Sequence, residues 1–281
     1  MRVLVTGANG FLGRNLTEYL KDKYFLLTPT RKELDLLDEE AVKLFLLTHT
    51  PDHIIHCAKA DGEGSLGENL RMFLNVQKYH KLLCSGKMIY FGSGAEFDRK
   101  NWHGEMSEEY FDDSIPTDDY GLAKYCMNRI TMMESNIYNL RLFGVFGKYE
   151  ERSERFISTC CKNILTYQPI IIQKNLKFDY LYVNDLCPIV EWFLTHIPLY
   201  RDYNVCTGHL RYLKDIAIRL LEVTDTAALI KDEGRKMDYE EYGGQNGRLL
   251  FECPVNFTPF DVALKEMYEY YKTQLSVKEG S

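Results

Sequence analysis

A doubly wound α/β fold, with a parallel sheet covered by helices on both faces and a smaller C-terminal lobe, is the fold class that this 281-residue sequence predicts. Short apolar runs of strand type alternate with longer amphipathic stretches of helical period over residues 1–150. A glycine-rich turn joins the first of these runs to the first helical stretch. Beyond this region the alternation loosens, which indicates a second, mixed unit.

The alternating elements follow one another in order along the chain. Residues 2–6 form an apolar run of strand type, and Leu12, Leu16 and Leu20 recur at helical spacing within residues 11–21. The same patterns predict further strands at residues 24–28, 53–58, 87–92 and 137–142, and further helices within residues 39–49, 69–85 and 116–134. Because each strand is followed by a helix, the strands are expected to be parallel.

Less regular elements follow in the C-terminal half. The patterns predict helices at residues 156–167, 185–196 and 261–272, and strands at residues 170–173 and 177–183. We therefore divide the chain into residues 1–165, which hold the alternating units, and residues 166–281. The second part is expected to return partly to the main sheet and partly to form the smaller lobe. No proline- or serine-rich linker marks this boundary.

Composition and charge exclude several classes of protein. The net charge of −7 gives no basic surface, so neither nucleic acid nor an anionic membrane is an expected partner. The eight cysteines show no C-x-x-C spacing and the histidines no ligand spacing, so no metal site is expected. The opening apolar run is too short for a signal peptide or a membrane span. With reduced thiols as the default, a cytoplasmic protein is expected.

The turn at residues 7–13, Gly-Ala-Asn-Gly-Phe-Leu-Gly, has the context of a phosphate-binding loop, because it follows a strand and opens a helix. Glycine permits a positive φ, and a missing side chain lets backbone N–H groups approach a pyrophosphate at the positive end of the helix dipole. A merely tight strand-to-helix turn is the alternative. The residues expected to contact a dinucleotide here are Gly7, Asn9, Gly10, Phe11, Leu12, Gly13 and Arg14.

The charge near the second strand bears on which dinucleotide would bind. NAD sites usually carry an acidic residue near the end of this strand for the ribose diol. Residues 26–30 carry none, while Arg31 follows directly and Arg14 lies in the first turn of the opening helix. Two guanidinium groups converging there would suit a 2′-phosphate, so NADP(H) is favoured, with NAD as the alternative if both arginines are merely solvated. Asp35 and Leu36 are expected at the adenine edge, unless Asp35 is an ordinary surface residue.

Tyr120 and Lys124 lie one helical turn apart within residues 116–134, so their side chains are expected to leave the same face of a helix. A free phenol has a pKa of about 10. A neighbouring ammonium group is expected to lower the pKa of Tyr120 into a useful range for proton transfer. A lone Tyr-x-x-x-Lys occurs by chance in many helices, but its place after several strand–helix units favours a catalytic pair.

Ser93 follows the apolar strand expected at residues 87–92. In a doubly wound sheet the carboxyl ends of the strands face the ligand crevice. A hydroxyl group there can donate a hydrogen bond to a carbonyl oxygen on which negative charge develops. A serine that only supports the glycine-rich turn would explain the sequence equally well. Ser93, Tyr120 and Lys124 together form the expected catalytic set.

These motifs resemble the extended short-chain dehydrogenases/reductases, in the group of nucleotide-sugar epimerases, dehydratases and reductases. The stretches that carry the likeness are residues 6–13, 54–58, 93, 120–124, 140–147, 178–185 and 203–208. The resemblance implies a Rossmann fold, a nucleotide-sugar substrate and a homodimer formed through the helices at residues 69–85 and 120–134. It also implies further contacts to the nicotinamide cofactor from Cys57, Ala58, Lys59, Tyr120 and Lys124.

Departures from the family pattern narrow the reaction. The 4,6-dehydratases of this group carry an Asp-Glu pair where this chain has Gly94 and Ala95, so water elimination is not expected. Residues 28–38 resemble GDP-fucose synthase, but that enzyme has a cysteine for 3,5-epimerisation at the position of Ala95. Epimerisation at those carbons is therefore not expected either. Gly144 and Phe178 replace an asparagine and an arginine that often contact the substrate in this group.

Three residues are assigned to substrate binding. Ser93 would contact the carbonyl group, and Gly144 occupies the position of a sugar-phosphate contact in the family. Glu96 stands beside the catalytic strand end, where the family usually has an apolar residue, and is expected to contact a substrate hydroxyl. His56 matches a family position near the cofactor, although a buried structural histidine explains it as well. The acidic stretch at residues 105–119 is interpreted as a solvated loop.

The sequence thus predicts an NADPH-dependent reductase of a keto group, at C4, on a nucleotide-linked deoxysugar. The alternative is an NAD-dependent nucleotide-sugar 4-epimerase, which would use the same three catalytic residues. A protein that binds NADP(H) as a sensor, without chemistry, is a further alternative.

Overall fold

The computed structural model describes residues 1–62, 65–150, 155–234 and 240–279. Its strands, in chain order, are β1 (Arg2–Thr6), β2 (Phe25–Leu27), β3 (His53–His56), β4 (Met88–Ser93), β5 (Ile137–Leu142), β6 (Gly144–Phe146), β7 (Ile170–Ile172), β8 (Lys177–Tyr182), β9 (Asp202–Val205), β10 (Leu210–Tyr212), β11 (Ile230–Asp232) and β12 (Glu241–Tyr242). Its helices are α1 (Phe11–Leu20), α2 (Glu39–His49), α3 (Ser65–Leu83), α4 (Asp119–Thr131), α5 (Phe156–Leu165), α6 (Val183–Thr195), α7 (Leu213–Thr224), α8 (Gly247–Glu252) and α9 (Phe260–Glu279). Short 3-10 helices lie between β4 and α4, the first at Gly94–Phe97. Within the described residues, no helix is both long enough and apolar enough to cross a membrane.

The main sheet has six parallel strands in the described part of the chain, in the order β2-β1-β3-β4-β5-β9. The predicted doubly wound parallel sheet is confirmed. β9 comes from the C-terminal half and pairs with β5, where Asn139 lies opposite Asp202. The chain proceeds in opposite directions from β1, to β2 on one side and to β3 on the other. In such sheets the ligand crevice lies at the carboxyl ends of the strands beside this reversal.

Alternate residues of the central strands pack on opposite faces of the main sheet. In β1, Val3 and Val5 belong to a core that includes residues of α1 and α6, whereas Leu4 belongs to a core that includes residues of α2, α3 and α4. Since the side chains of a strand alternate with a period of two, the central strands β1, β3, β4 and β5 each contribute to both cores. This explains why the strands are apolar runs rather than alternating patterns.

Side-chain caps fix the starts of two helices. The Asp38 carboxylate accepts a hydrogen bond from Ala41 N at 3.1 Å before α2, and that of Asp118 accepts one from Gly121 N at 3.0 Å before α4. α3 begins at Ser65 rather than at residue 69 as predicted. The first turn of α3, Ser-Leu-Gly-Glu, has a single apolar residue, so no apolar period marked it in the sequence.

A smaller sheet forms around β8, which pairs with β6, β10 and β12. β10 is antiparallel to β8, while β6 and β12 are parallel to it. A separate apolar cluster includes residues of the first 3-10 helix, of β12 and of the segment that follows β5. Its buried members are Phe97, Met106, Phe143, Cys206 and Tyr242. The cluster therefore joins the smaller sheet to the chain that follows Ser93.

The packing of α3 against the sheet can be tested at Phe73. Phe73 is fully buried, and its ring lies edge-on to that of Tyr90 in β4 with 5.0 Å between centroids. We expect Phe73→Ala to lower the free energy of unfolding by about 3–5 kcal/mol, because it leaves a cavity beneath α3. Denaturant unfolding measures this loss. Leu74→Ala, at the neighbouring exposed position, is the matched control with a loss under about 1 kcal/mol, and equal losses would contradict this packing.

Candidate active site

The glycine loop at residues 7–13 is shaped by close backbone contacts. Gly7 has a φ of +65°, and a Cβ there would lie 2.7 Å from the Cα and N atoms of Ala58. A Cβ on Gly13 would collide with the carbonyl oxygen of Gly7. Gly10, in extended conformation, precedes α1 and provides no side-chain cap for its first turn. The N-terminal N–H groups of α1 are therefore left for an anion, as in a phosphate-binding loop.

Thr6 and His56 join the carboxyl ends of β1 and β3 beside this loop. Thr6 Oγ1 lies 2.9 Å from His56 Nδ1 and accepts a hydrogen bond from Ala58 N at 3.4 Å. Burial lowers the pKa of His56 to about 3, so its ring is neutral at physiological pH. His56 is therefore a buried residue that holds the two strand ends together.

The other predicted cofactor contacts lie around the same loop. Cys57 and Ala58 are half-buried, and the exposed Lys59 pairs with Asp61 at 2.9 Å. Phe11 and Leu12 are partly buried against the main core, and Asn9 is exposed. The structure thus gathers residues 7–13 and 57–59 at one strand end, and their contacts with a cofactor stay predictions.

The two arginines predicted to converge on a 2′-phosphate have different surroundings. The Arg14 guanidinium stacks on the ring of Tyr149, 3.8 Å from its centroid. The exposed Arg31 lies 3.9 Å from the Asp35 carboxylate. Leu36 is 7% exposed and belongs to the core beneath α2 and α3, so packing accounts for its side chain. The convergence of the arginines, and the place of Asp35 and Leu36 at an adenine edge, stay predictions.

Ser93, Tyr120 and Lys124 come together at the carboxyl end of β4. Ser93 ends this strand, while Tyr120 and Lys124 lie on α4, which packs against β4 and the first 3-10 helix. Lys124 Nζ donates a hydrogen bond to the carbonyl oxygen of Phe91 at 2.7 Å and lies 5.9 Å from the centre of the Tyr120 ring. The Ser93 hydroxyl interacts with that of Tyr120. The three residues predicted to be catalytic therefore share one site.

Tyr120 is half-buried and Lys124 is buried, and desolvation shifts the pKa of each group. Burial raises the pKa of Tyr120, and the Ser93 hydroxyl and the charge of Arg155 oppose this only in part. Burial lowers the pKa of Lys124 to about 8, although the charge of Glu96 opposes this change. The expected net lowering of the Tyr120 pKa is therefore wrong for this structure, because desolvation of the phenolate outweighs the nearby positive charges. Tyr120 is a phenol at neutral pH.

The profile of the NAD dependent epimerase/dehydratase family matches residues 3–206. The chain belongs to this family. The resemblance to the extended short-chain dehydrogenases/reductases that modify nucleotide sugars is thereby confirmed, and the protein is an NAD(P)-dependent enzyme of that type. The matched region includes the glycine loop, Ser93, Tyr120 and Lys124.

Three similar proteins illustrate the range of this epimerase/dehydratase family. GDP-L-colitose synthase from Yersinia pseudotuberculosis is 27% identical over 187 residues, which span 59% of this chain and 61% of that protein. GDP-6-deoxy-D-talose 4-dehydrogenase from Aggregatibacter actinomycetemcomitans is 24% identical, with 99% of this chain and 100% of that protein covered. A GDP-mannoheptose C4 reductase from Campylobacter jejuni, solved with NADP bound, has a TM-score of 0.84 at 20% identity over 96% of this chain and 98% of that one. This last likeness shows the shared fold.

Glu96 is the predicted substrate contact that the structure contradicts. Its side chain is fully buried, and its carboxylate accepts hydrogen bonds from Ser93 N at 3.0 Å and from Asn139 Nδ2 at 3.1 and 3.2 Å. Arg141 Nε donates a further hydrogen bond to it at 2.9 Å. Both carboxylate oxygens are thus engaged inside the protein instead of being available to a substrate hydroxyl.

Gly144 and Phe178 are explained by packing within the smaller sheet. Gly144 pairs with Tyr180 across β6 and β8, where a Cβ would lie 2.5 Å from the carbonyl oxygen of Asp179. The Phe178 ring stacks on that of Tyr180 and meets that of Tyr242 edge-on, with centroid distances of 5.6 and 5.5 Å. Neither residue offers a polar side chain, so the predicted substrate contact of Gly144 would have to come from its backbone.

An aromatic wall beside Ser93, formed by Trp102, Phe143, Phe178 and Tyr242, was not predicted. Tyr242 Oη lies 3.5 Å from Ser93 Oγ. The Tyr242 ring contacts those of Trp102 and Phe143, with centroid distances of 4.1 and 5.2 Å. Tyr242 is 149 residues from Ser93 along the chain and lies in no motif. The one related signal in the sequence is its high content of aromatic residues, 13%, which does not say where they meet.

The close approach at Gly13 gives a test of the glycine loop. We expect Gly13→Ala to weaken NADPH binding by at least about tenfold, because the new methyl group would push the loop away from its phosphate-binding conformation. Titration of nicotinamide fluorescence measures the dissociation constant. Gly67→Ala, in α3, is the matched control, since a Cβ there meets nothing within 4 Å. Unchanged NADPH binding in Gly13→Ala would contradict the assignment of this loop.

Proposed function

We propose that the protein is an NADPH-dependent reductase of a keto group at C4 of a nucleotide-linked deoxysugar. The observation that carries this proposal is the meeting of Ser93, at the carboxyl end of β4, with Tyr120 and Lys124 of α4. The names of two similar proteins, a GDP-mannoheptose C4 reductase and a GDP-6-deoxy-D-talose 4-dehydrogenase, support the choice of C4 and of a deoxysugar.

Reduction of a ketone requires a hydride for the carbon and a proton for the oxygen. A reduced nicotinamide cofactor, held by the glycine loop at residues 7–13, would supply the hydride. Tyr120 donates its phenolic proton to the carbonyl oxygen, and the Ser93 hydroxyl donates a hydrogen bond that stabilises the charge developing there. The ammonium group of Lys124, held by the carbonyl oxygen of Phe91, stabilises the tyrosinate that remains.

The residues after Ser93 argue against water elimination and against 3,5-epimerisation. Ala95 is 1% exposed, and a Cβ on Gly94 would collide with the rings of Phe143 and Tyr242. Neither position supplies the acid and base that water elimination would need, nor the thiol that serves 3,5-epimerisation in GDP-fucose synthase. Reduction by Tyr120 and Ser93 needs no further acid or base.

The residues around the glycine loop fit a dinucleotide. The backbone of residues 7–13 and the first turn of α1 would hold the pyrophosphate, because the glycines leave the backbone N–H groups accessible. Arg31 would hold the 2′-phosphate of NADP, since no acidic residue stands in residues 26–30. Its long contact with the exposed Asp35 is weak and easily exchanged for a phosphate. These features favour NADP(H) over NAD.

The activity can be tested with NADPH and a panel of 4-keto nucleotide sugars, after the purified protein has been checked for retained dinucleotide. We expect a dissociable cofactor and one NADPH oxidised for each sugar reduced. Tightly retained NAD, with interconversion of C4 epimers and no use of added cofactor, would identify a 4-epimerase instead. NADPH binding without turnover of any of these sugars would favour the sensor.

The proton donor can be tested at Tyr120. We expect Tyr120→Phe to lower kcat/KM by about 10²–10⁴-fold, because the phenylalanine has no proton to donate. The dissociation constant for NADPH should change little. Tyr125→Phe, on the same helix with its hydroxyl bonded to Asp112, is the matched control and should stay near wild-type activity. Near-wild-type turnover in Tyr120→Phe would rule out this mechanism.

The cofactor preference can be tested at Arg31. Loss of a charge-assisted hydrogen bond to a phosphate is worth about 1.5–3 kcal/mol, so Arg31→Ala should weaken NADPH binding by about 10–100-fold. NADH binding should be nearly unchanged. Lys32→Ala, at the next exposed position, is the matched control. Parallel fluorescence titrations with both nucleotides give these values, and an unaltered NADPH preference would show that Arg31 does not select the cofactor.

A further inference from the structure

The backbone and the side chain of Ser93 each make one hydrogen bond to the 3-10 helix that follows it. Glu96 Oε1 accepts from Ser93 N at 3.0 Å, and Ser93 Oγ accepts from Ala95 N at 3.2 Å. This capping box fixes the backbone of Ser93 at the point where β4 turns into the 3-10 helix. Glu96, whose carboxylate is engaged inside the protein, thus fixes the position of Ser93, the residue proposed to contact the substrate.

Glu96 is itself held by an ionic cluster that joins the first 3-10 helix to β5, β9 and α8. Arg141 of β5 donates to Glu96 at 2.9 Å and to Asp202 of β9 at 2.8 Å, and these three side chains are 0–2% exposed. Arg248 of α8 binds the other oxygen of Asp202 at 2.7 Å. The cluster therefore contains two carboxylates and two guanidinium groups.

In the part of the chain that the structure describes, the groups that hydrogen-bond to the Glu96 carboxylate are donors, namely Ser93 N, Asn139 Nδ2 and Arg141 Nε. A protonated acid would place its own hydrogen against one of these donors, so the arrangement fits the ionised form. Burial raises the pKa of Glu96, and the charge of Arg141 opposes that change. Apolar side chains often replace buried ion pairs without loss of stability, so stability alone gives little reason for this cluster.

Glu96 and Lys124 both bond to the backbone of the last three residues of β4: the Glu96 carboxylate accepts from Ser93 N at 3.0 Å, and Lys124 Nζ donates to the carbonyl oxygen of Phe91 at 2.7 Å. The first 3-10 helix, which carries Glu96, packs directly on α4, so the charge of Glu96 lies near both catalytic groups of that helix. It favours the ammonium form of Lys124 and the neutral form of Tyr120. The other groups that face Lys124 or Tyr120 come from the loop after β3, from β3, from the chain before α4 and from the start of α5. They are Cys57, Lys59, His56, Arg99 and Arg155. Glu96 is the carboxylate that acts on Lys124 and Tyr120 beside these five groups.

We propose that Glu96 is a positioning residue, which fixes Ser93 through the capping box and keeps Lys124 charged through its buried carboxylate. This role rests on the proposed reductase function for its effect on turnover, but its effect on Lys124 can be measured without any substrate. Glu96 would thereby extend the pH range of activity upward, because burial alone favours loss of the Lys124 proton.

The decisive experiment is an NMR titration of protein that carries ¹³C at the lysine Cε atoms, with the Lys124 signal assigned from Lys124→Arg. In the wild type the midpoint is expected near pH 8. Glu96→Gln should move it to lower pH, since the neutral amide no longer stabilises the ammonium group. Glu108→Gln is the matched control: it also removes a buried carboxylate, one that accepts from Asn204 N, and should leave the Lys124 midpoint in place.

A second variant covers the case in which Glu96→Gln does not fold. Combining Glu96→Gln with Arg141→Met removes both charges of the pair and leaves Asp202 with Arg248 as its partner. The lower Lys124 midpoint should persist in this variant. An unchanged midpoint in the folded variants, or an equal shift in Glu108→Gln, would overturn the proposal.

The pH profile of turnover supplies a second readout. In Glu96→Gln the alkaline limb of kcat/KM should move to lower pH, with a loss on the order of tenfold on that limb beyond any loss near neutral pH. A loss of equal size at every pH would mean that Glu96 has only a structural role. If no 4-keto sugar is reduced but the Lys124 midpoint still shifts, the proposed function fails and the role of Glu96 stands.

Discussion

The wholly buried guanidinium group of Arg141 holds together the strand ends on which the site depends. Arg141 lies on β5, opposite Gly92 of β4 and Asn204 of β9. It donates hydrogen bonds to Glu96, which follows β4, and to Asn204 on β9. A slip of one residue in either pairing would turn its side chain to the other face of the sheet. The ionic cluster therefore specifies the register that brings Ser93 to the crevice.

Burial at this strand end has two opposite effects on the catalytic groups. It keeps Tyr120 protonated, which suits a proton donor, and it brings the pKa of Lys124 down to about 8. The first effect would keep a proton available for a carbonyl oxygen. The second would limit the reaction at alkaline pH unless a negative charge opposes it. The buried carboxylate of Glu96, which accepts a hydrogen bond from Ser93 N, is such a charge.

Much of the fold and the catalytic set could be predicted because their signals are local in sequence. The glycine loop lies within residues 7–13, and Tyr120 and Lys124 are one helical turn apart. The environment of Glu96 could not be predicted, since Asn139 and Arg141 come from a strand more than 40 residues further along. Similarly, Tyr242 reaches Ser93 only through the pairing of β12 with β8.

The direction of the Tyr120 pKa shift shows a different limit of the sequence. The spacing of Tyr120 and Lys124 correctly indicated that they share a site, but it carried no measure of burial. Desolvation then outweighed the nearby positive charges. The Tyr-x-x-x-Lys motif thus indicated where the catalytic residues lie. The packing of α4 against β4 determined the direction in which their pKa values shift.

The measurement that tests the central claim most directly is the transfer of deuterium from NADPH deuterated at nicotinamide C4. A GDP-linked 4-keto-6-deoxyhexose would be incubated with the protein and each of the two stereospecifically labelled cofactors. The account predicts that one of them places a single deuterium at C4 of the sugar, with equimolar formation of NADP⁺. A sugar product without deuterium, formed with no net consumption of NADPH, would contradict it.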